Sequence, residues 1–249
     1  MQELLDKEFG VGRALVLHGM RYGEPSIGAQ LEKMRRAGCR RIVVLPMYPQ
    51  PAAATSGSTF DAVADVLRTW RTVPPVRFIA GYADDARFVQ LIVDSVRRYW
   101  AAHVDDAKPQ RLLISFHGVP LKTLLSGDAY HCWCVKTARL VGAALGLQYC
   151  NDANNHDTFA APPVSSTSKP STTTTTMTFG MSFQSRFGYD DWVKPYSDAT
   201  LTAWAKAGVE SVDVVAPAFA QDCLETLEEI TGLLHETFIH AGGKRYRYM

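Results

Sequence analysis

Pro25-Ser26-Ile27-Gly28-Ala29-Gln30-Leu31-Glu32-Lys33-Met34-Arg35-Arg36-Ala37-Gly38, with Ile42-Val43-Val44-Leu45 close behind it, is the stretch that decides the fold. Proline marks a helix start, glycine a left-handed stop, and an apolar run of strand length follows at once. The same punctuation returns at Pro195-Tyr196-Ser197-Asp198-Ala199-Thr200-Leu201-Thr202-Ala203-Trp204-Ala205-Lys206-Ala207-Gly208, followed by Val212-Asp213-Val214-Val215-Ala216. Pro25 and Gly38 are as far apart as Pro195 and Gly208, and Ala29, Leu31 and Ala37 recur as Ala199, Leu201 and Ala207. Any two αβ units can share such punctuation. The matched length and the three identities are read here as an internal duplication.

Working outward, Leu15-Val16-Leu17 and Leu112-Leu113-Ile114-Ser115-Phe116 read as further buried strands, separated by helical segments. Near-continuous apolar strands suit a parallel sheet covered on both faces. The expectation is an α/β chain of two Rossmann-like halves with parallel sheets flanked by helices, residues 1–105 and 106–249. They meet where Ala101-Ala102-His103-Val104-Asp105-Asp106 reads as a helix end running into a linker. Residues 151–176 break the pattern, passing from Asn151-Asp152-Ala153-Asn154-Asn155 through Pro162-Pro163 to the Thr172–Thr176 run. A tract this polar buries too little apolar surface to offset its ordering entropy, and it is read as a disordered surface insertion or a misread intron.

A chain of 249 residues, 47% hydrophobic and 20% charged, has an ordinary globular composition. Its net charge of +1 offers no electrostatic footprint for nucleic acid. Five irregularly spaced cysteines do not form a disulfide framework and point to a reducing, intracellular compartment. No apolar run approaches the ~20 residues of a membrane-spanning helix, and Met1-Gln2-Glu3-Leu4-Leu5-Asp6-Lys7-Glu8 lacks a signal peptide's apolar core. The cytoplasm is the expected location, the mitochondrion if the source is eukaryotic. Peripheral membrane contact is compatible with this.

In open α/β sheets ligands bind beyond the carboxyl ends of the strands. After Phe116 comes His117-Gly118-Val119-Pro120, an imidazole at a strand end before a forced turn, able to exchange protons or bind a borderline metal. It could equally be a histidine that hydrogen-bonds its own turn. After Phe219, Asp222, Glu225 and Glu229 fall within about 60° of one another on a helical wheel, with Leu224, Leu227, Leu234 and Phe238 opposite. Acidic residues in a first helical turn are also favoured by the macrodipole alone. Thr55-Ser56-Gly57-Ser58-Thr59 could cradle an anion or simply cap a helix, and no nucleotide-binding glycine pattern occurs. His131, Cys132 and Cys134 lack zinc-knuckle spacing, and His18-Gly19 echoes His117-Gly118 without the proline.

Six ordered segments resemble the ferrochelatases, enzymes that insert ferrous iron into protoporphyrin. They are Met20-Arg21-Tyr22-Gly23-Glu24-Pro25-Ser26, Leu45-Pro46-Met47-Tyr48-Pro49-Gln50, Ser115-Phe116-His117-Gly118-Val119-Pro120, Gly127-Asp128-Ala129-Tyr130, Gln184-Ser185-Arg186-Phe187-Gly188 with Trp192, and Leu224-Glu225-Thr226-Leu227-Glu228-Glu229. The resemblance is strongest to the bacterial form. It implies a lyase in haem biosynthesis with substrates Fe²⁺ and protoporphyrin IX and no permanently bound cofactor. His117 and Glu225 are then the catalytic and metal-binding pair, with Asp222 and Glu229 as further metal candidates. Arg21, Tyr22, Tyr48, Trp192 and Phe219 would bind the porphyrin. The family carries an additional βα segment before the part that Met20-Arg21-Tyr22 matches, so the first half is expected to be incomplete. Pro51-Ala52-Ala53-Ala54-Thr55 replaces a Tyr-Ser-x-Ser-Thr pattern. No cluster-binding cysteine group follows Tyr246-Arg247-Tyr248-Met249, so no iron–sulfur centre is expected. Alternatives are a fragment that binds porphyrin without metallating it, or a chelatase for another metal or tetrapyrrole, such as one acting on cobalt. Oligomeric state is not encoded legibly. Deleting residues 156–176 is expected to leave the thermal midpoint nearly unchanged. A large fall in a melting experiment would show that the tract is packed.

Overall fold

The structure, a computed structural model, describes residues 1–104, 106, 108–150 and 177–249. The Ser/Thr-rich insertion expected over 151–176 lies outside the described residues. In chain order the elements are α1 (Gln2–Phe9), α2 (Ile27–Arg36), β1 (Ile42–Val44), a π-helical turn π1 (Ala53–Gly57), α3 (Ser58–Leu67), β2 (Val76–Phe78) and α4 (Ala86–Ala102). There follow β3 (Arg111–His117), α5 (Leu121–Leu125), α6 (Tyr130–Leu145), β4 (Gln148–Tyr149), β5 (Thr178–Gln184), α7 (Ser197–Lys206), β6 (Ser211–Val215), a π-helix π2 (Glu225–Leu234), α8 (His235–His240) and β7 (Arg245–Tyr248). Every strand pairing is parallel. Among the described residues no helix is long and apolar enough to cross a membrane.

The chain divides into two compact units, one of residues 1–47 and 51–81, the other of 48–50 and 82–249. The division falls after Gly81, whereas the helix end seen in the sequence near residue 105 is the end of α4, which belongs to the second unit. The reason is physical: α4 buries Val89, Val93 and Val96, and the Trp100 indole N–H donates to Asp213 on β6 at 2.9 Å.

The first unit has a two-stranded sheet, β1-β2, with Leu31, Ile42 and Val63 at its core. Leu15-Val16-Leu17, expected as a strand, forms no ladder; only Met20 bridges, to Ser26. Beside it the Gln2 side chain accepts from Val16 N–H and donates to Ala14 O. The second unit has a five-stranded sheet in the order β4-β5-β3-β6-β7. β3 is paired on both edges, and Leu112 to Phe116 are wholly buried.

The duplication has a geometric basis. One constant separation carries Pro25 to Pro195, α2 onto α7, Gly38 to Gly208, Ile42 to Val212 and Val76 to Tyr246. Both prolines follow cis peptide bonds. Met20 N–H donates to Pro25 O at 2.7 Å, and Phe183 N–H to Pro195 O at 2.8 Å. Gly38 and Gly208 both have left-handed backbone, with φ of 70° and 88°, as a residue just past a helix end requires. Each proline stands two residues ahead of the first residue of its helix, just before the N-cap rather than in the first turn, and Ser26 caps α2.

Asp213 breaks the apolar rhythm of β6 with a reason. Its buried carboxylate accepts from Arg247 Nε and Nη2, both at 2.8 Å, and from Trp100, while Arg247 Nη1 reaches Asp106 at 2.7 Å. Removing one partner of such a pair strands the other charge in a dry environment. Asp213→Ala is expected to cost about 3–5 kcal/mol, read as a lowered urea midpoint at unchanged slope. A loss under about 1 kcal/mol would show that water reaches Arg247.

Candidate functional site

Where β3 stops, the second unit brings His117 and Glu225 within electrostatic reach of each other. His117 is the last residue of β3, half-buried, opposite Gln184 in the β5 ladder. Gly118 N–H donates to Gln184 O at 2.7 Å, so the ladder continues one residue past the imidazole. A Cβ on Gly118 would stand 2.8 Å from Gln184 O and 3.0 Å from the Trp192 ring, so only glycine lets strand and indole close in together. Val193 N–H to Val119 O at 3.0 Å and Leu121 N–H to Asp191 O at 2.7 Å hold the rest of the turn.

This turn orients the imidazole. His117 Nδ1 lies 2.5 Å from Gly118 O. A carbonyl can only accept, so Nδ1 carries the proton and Nε2 is left as the basic, ligating nitrogen. Tyr130 Oη donates to the His117 carbonyl at 2.9 Å, tying the residue to α6.

Glu225 opens π2. The Cys223 thiol, donating to it, holds its carboxyl below the usual carboxylate range; its own backbone and the charge of His117 act in the same direction, against partial desolvation. The same contact and burial push the Cys223 thiol up. Glu225 is therefore ionised at neutral pH and within electrostatic reach of His117. Glu229, four residues on, accepts a short hydrogen bond from Ser185 Oγ, and Ser185 has a left-handed φ of 65° that a non-glycine residue seldom adopts. Asp222 Oδ1 accepts from Thr226 Oγ1 and from Tyr248 Oη, each at 3.0 Å. Burial first, and then Asp222 itself, push the Tyr248 hydroxyl up, which keeps it a donor.

The helix here differs from the expected α-helical wheel. Leu224 and Leu227 are 71% and 57% exposed, and the buried stripe runs Thr226, Ile230, Leu234, Phe238. The four-residue spacing of this stripe lies between the 3.6 residues per turn of an α-helix and the wider π winding, and Leu224 and Leu227 fall off it. The hydroxyl of Thr231 marks the winding, donating to Thr226 O five residues back at 2.9 Å.

The remaining candidates are dispersed. Arg21, in the first unit, donates from Nε to Ser58 O and Oγ and lies 4.7 Å from the ring of exposed Tyr22. Tyr48 is partly exposed, Phe219 packs on the core beside β6, and Trp192 is buried with its indole N–H on Phe187 O. His18 is exposed, and Thr55 to Gly57 form π1 with Arg21 bound just beyond it at Ser58. All five cysteines are free thiols. Among the described residues no three His, Cys, Asp or Glu side chains are already arranged around one ion position. The sequence assigned no role to Cys223, Ser185, Tyr130 or Tyr248, although Tyr130 and Ser185 stand in segments that carry the resemblance. Only Cys223 carried a usable signal, its place inside the acidic line.

Parallel sheets flanked by helices, with an imidazole and a carboxylate at strand exits, define an α/β protein of the chelatase type. The fold is similar to that of SirB from Bacillus subtilis with Fe³⁺, at a TM-score of 0.57 and 13% identity over 91% of this chain and 71% of that one. The ferrochelatase family model matches residues 1–249, and the chain belongs to the ferrochelatase family. It is 46% identical over 239 residues to a ferrochelatase of Nitrosococcus oceani, covering 96% of this chain and 57% of that protein. It is 42% identical to ferrochelatase 2 of Shewanella oneidensis, covering 99% of this chain and 67% of that protein. The chain thus spans between half and two thirds of the length of these relatives.

Gly118→Ala is expected to cost about 1–3 kcal/mol, the usual range for overpacking, and to shift the fluorescence of Trp192. Unchanged stability and emission would mean that the turn yields freely.

Proposed function

We propose that the chain carries the metal-inserting centre for placing ferrous iron in protoporphyrin IX, with His117 and Glu225 as its working pair. The single observation that supports this is the ionised Glu225, opening π2 within electrostatic reach of an imidazole whose Nε2 is free. Insertion must remove two pyrrole protons and strip water from the cation. Nε2 of His117 is the one ring atom left to take a proton or touch the metal, since Nδ1 is committed to Gly118. Glu225 supplies a hard, weakly held oxygen ligand that can release the ion to a macrocycle. Asp222 and Glu229 would extend the acidic path on either side of Glu225. Glu229 shares its carboxylate with Ser185, and Asp222 has one oxygen committed to Thr226 and Tyr248.

The proposed porphyrin contacts are Arg21, Tyr22, Tyr48, Trp192 and Phe219. Tyr22 and Tyr48 expose enough ring to stack on a flat apolar macrocycle, whereas Trp192 offers an edge and supports the Gly118 turn. The reading needs no resident cofactor or iron–sulfur centre.

Incubation with protoporphyrin and Fe²⁺ or Zn²⁺, followed by porphyrin absorbance, tests the proposal. His117→Ala and Glu225→Ala are each expected to abolish insertion while circular dichroism is retained. Insertion at the parental rate in either variant removes that residue from the mechanism. Removing the thiol donor in Cys223→Ala lets the Glu225 carboxyl rise toward its ordinary value, so the acid limb of the rate profile should move to higher pH. An unmoved limb would mean that Glu225 protonation does not govern it.

A further inference from the structure

Two tyrosines of β7 reach into π2 from the same side of the sheet. Tyr246 Oη donates to Ile230 O at 2.8 Å, a backbone group inside the helix, and Tyr248 Oη donates to Asp222 Oδ1 just ahead of it. The internal duplication provides a control for what such a ring does by packing alone. Register places Val214 beside Tyr248 in β6–β7 and Val44 beside Phe78 in β1–β2, so Phe78 is the counterpart of Tyr248. The first unit also has the hydroxyl turn. Thr55 Oγ1 accepts from Ala52 N–H at 3.2 Å and can donate to Ala52 O, as Thr226 Oγ1 accepts from Cys223 N–H at 2.9 Å and can donate to Cys223 O. What the first unit lacks is a carboxylate: Pro51 and Ala52 stand where the second unit has Asp222. The phenolic oxygen therefore occurs in the half that has an acid to hold, and an aromatic ring without it fills the same position in the half that does not.

We propose that Tyr248 is a positioning residue for metal delivery: its hydroxyl fixes Asp222 Oδ1, turning the other carboxylate oxygen into a directed acceptor for a divalent cation ahead of Glu225. The inference rests on the metal-inserting reading and deepens it. Thr226 contributes the second bond to the same oxygen, but its counterpart in the first unit shows that it would stay in place to build the turn regardless. Tyr248 is separable, because Phe78 demonstrates that phenylalanine is compatible with this strand position.

The test uses the whole chain and the panel of wild type, Tyr248→Phe, Asp222→Asn and the double variant. Zn²⁺ insertion into protoporphyrin is followed at varied Zn²⁺, Co²⁺ affinity is measured by calorimetry without porphyrin, and melting is recorded for each protein. Tyr248→Phe is expected to raise KM for Zn²⁺ and the Co²⁺ dissociation constant by about five- to tenfold, within the range for one ordinary lost hydrogen bond. KM for porphyrin should be unchanged and the melting midpoint within about 2 °C of wild type, since one hydroxyl is lost and no cavity is made. The double variant should be no weaker than the weaker single, because both changes break one unit. Parental metal affinity in Tyr248→Phe, full additivity in the double variant, or losses that follow melting rather than metal would overturn the proposal. A wild type that neither binds Co²⁺ nor inserts Zn²⁺ would sink the metal-inserting reading itself, and this one with it.

Discussion

The hydrogen bond from Gly118 N–H to Gln184 O is the constraint on which the rest of the site depends. It extends a strand that is already paired on both edges and buried over Leu112 to Phe116, so the end of β3 has almost no freedom. His117 inherits that rigidity. Its Nδ1 is spent on the carbonyl of the same glycine whose N–H holds the ladder, and one residue thereby sets position and tautomer together. Any side chain at 118 would push the backbone off Gln184 or the indole off the turn. The orientation of His117 is here a by-product of sheet closure.

The second support is the π winding of residues 225–234. Fewer backbone bonds stabilise such a helix than an α-helix of the same length, and side chains make good the difference. Thr231 and Tyr246 both donate to carbonyls inside it, and Thr226 ties its first turn to Cys223 and Asp222. π segments are uncommon and concentrate at functional sites because they re-aim side chains. Within it Thr226, Ile230 and Leu234 face the core while Glu225 and Glu229 stay partly exposed.

Much of this was legible in residues 25–45 and 195–216. Proline, glycine and an apolar run are local signals, and they located α2, β1, α7 and β6. The place of His117 at a strand end was legible too, and of its two readings the hydrogen bond to its own turn is present. Three features were not. Leu15 to Leu17 has the composition of a strand but no paired neighbour, and pairing is a property of the fold rather than of the segment. β7 reads Arg-Tyr-Arg-Tyr, which suits an edge strand whose rings fall on the core side and whose Arg247 finds Asp213, a partner invisible without register. The π winding escaped because the apolar period was read at 3.6 residues, which assigned Leu224 and Leu227 to the buried side.

The two halves together show how one framework yields two chemistries. Each has the same proline-to-glycine helix, the same strand, a π-helical turn or helix beyond it and a hydroxyl that ties that turn. Backbone geometry is therefore common property, and it brings no acid by itself. At equivalent places the second half has Asp213 for Val43 and Tyr248 for Phe78, and, beside the turn threonine that both halves share, Glu225 for Ala54. The first of these is satisfied inside the sheet by Arg247 and serves stability. Glu225 lies beyond the strand ends, where water has access and a charge can stay ionised without a buried counter-ion, and Tyr248, the last residue of β7, donates its hydroxyl to Asp222 there. A duplicated scaffold thus separates the two uses of polar residues by depth alone: paired charges within the sheet and directed ones at its carboxyl edge.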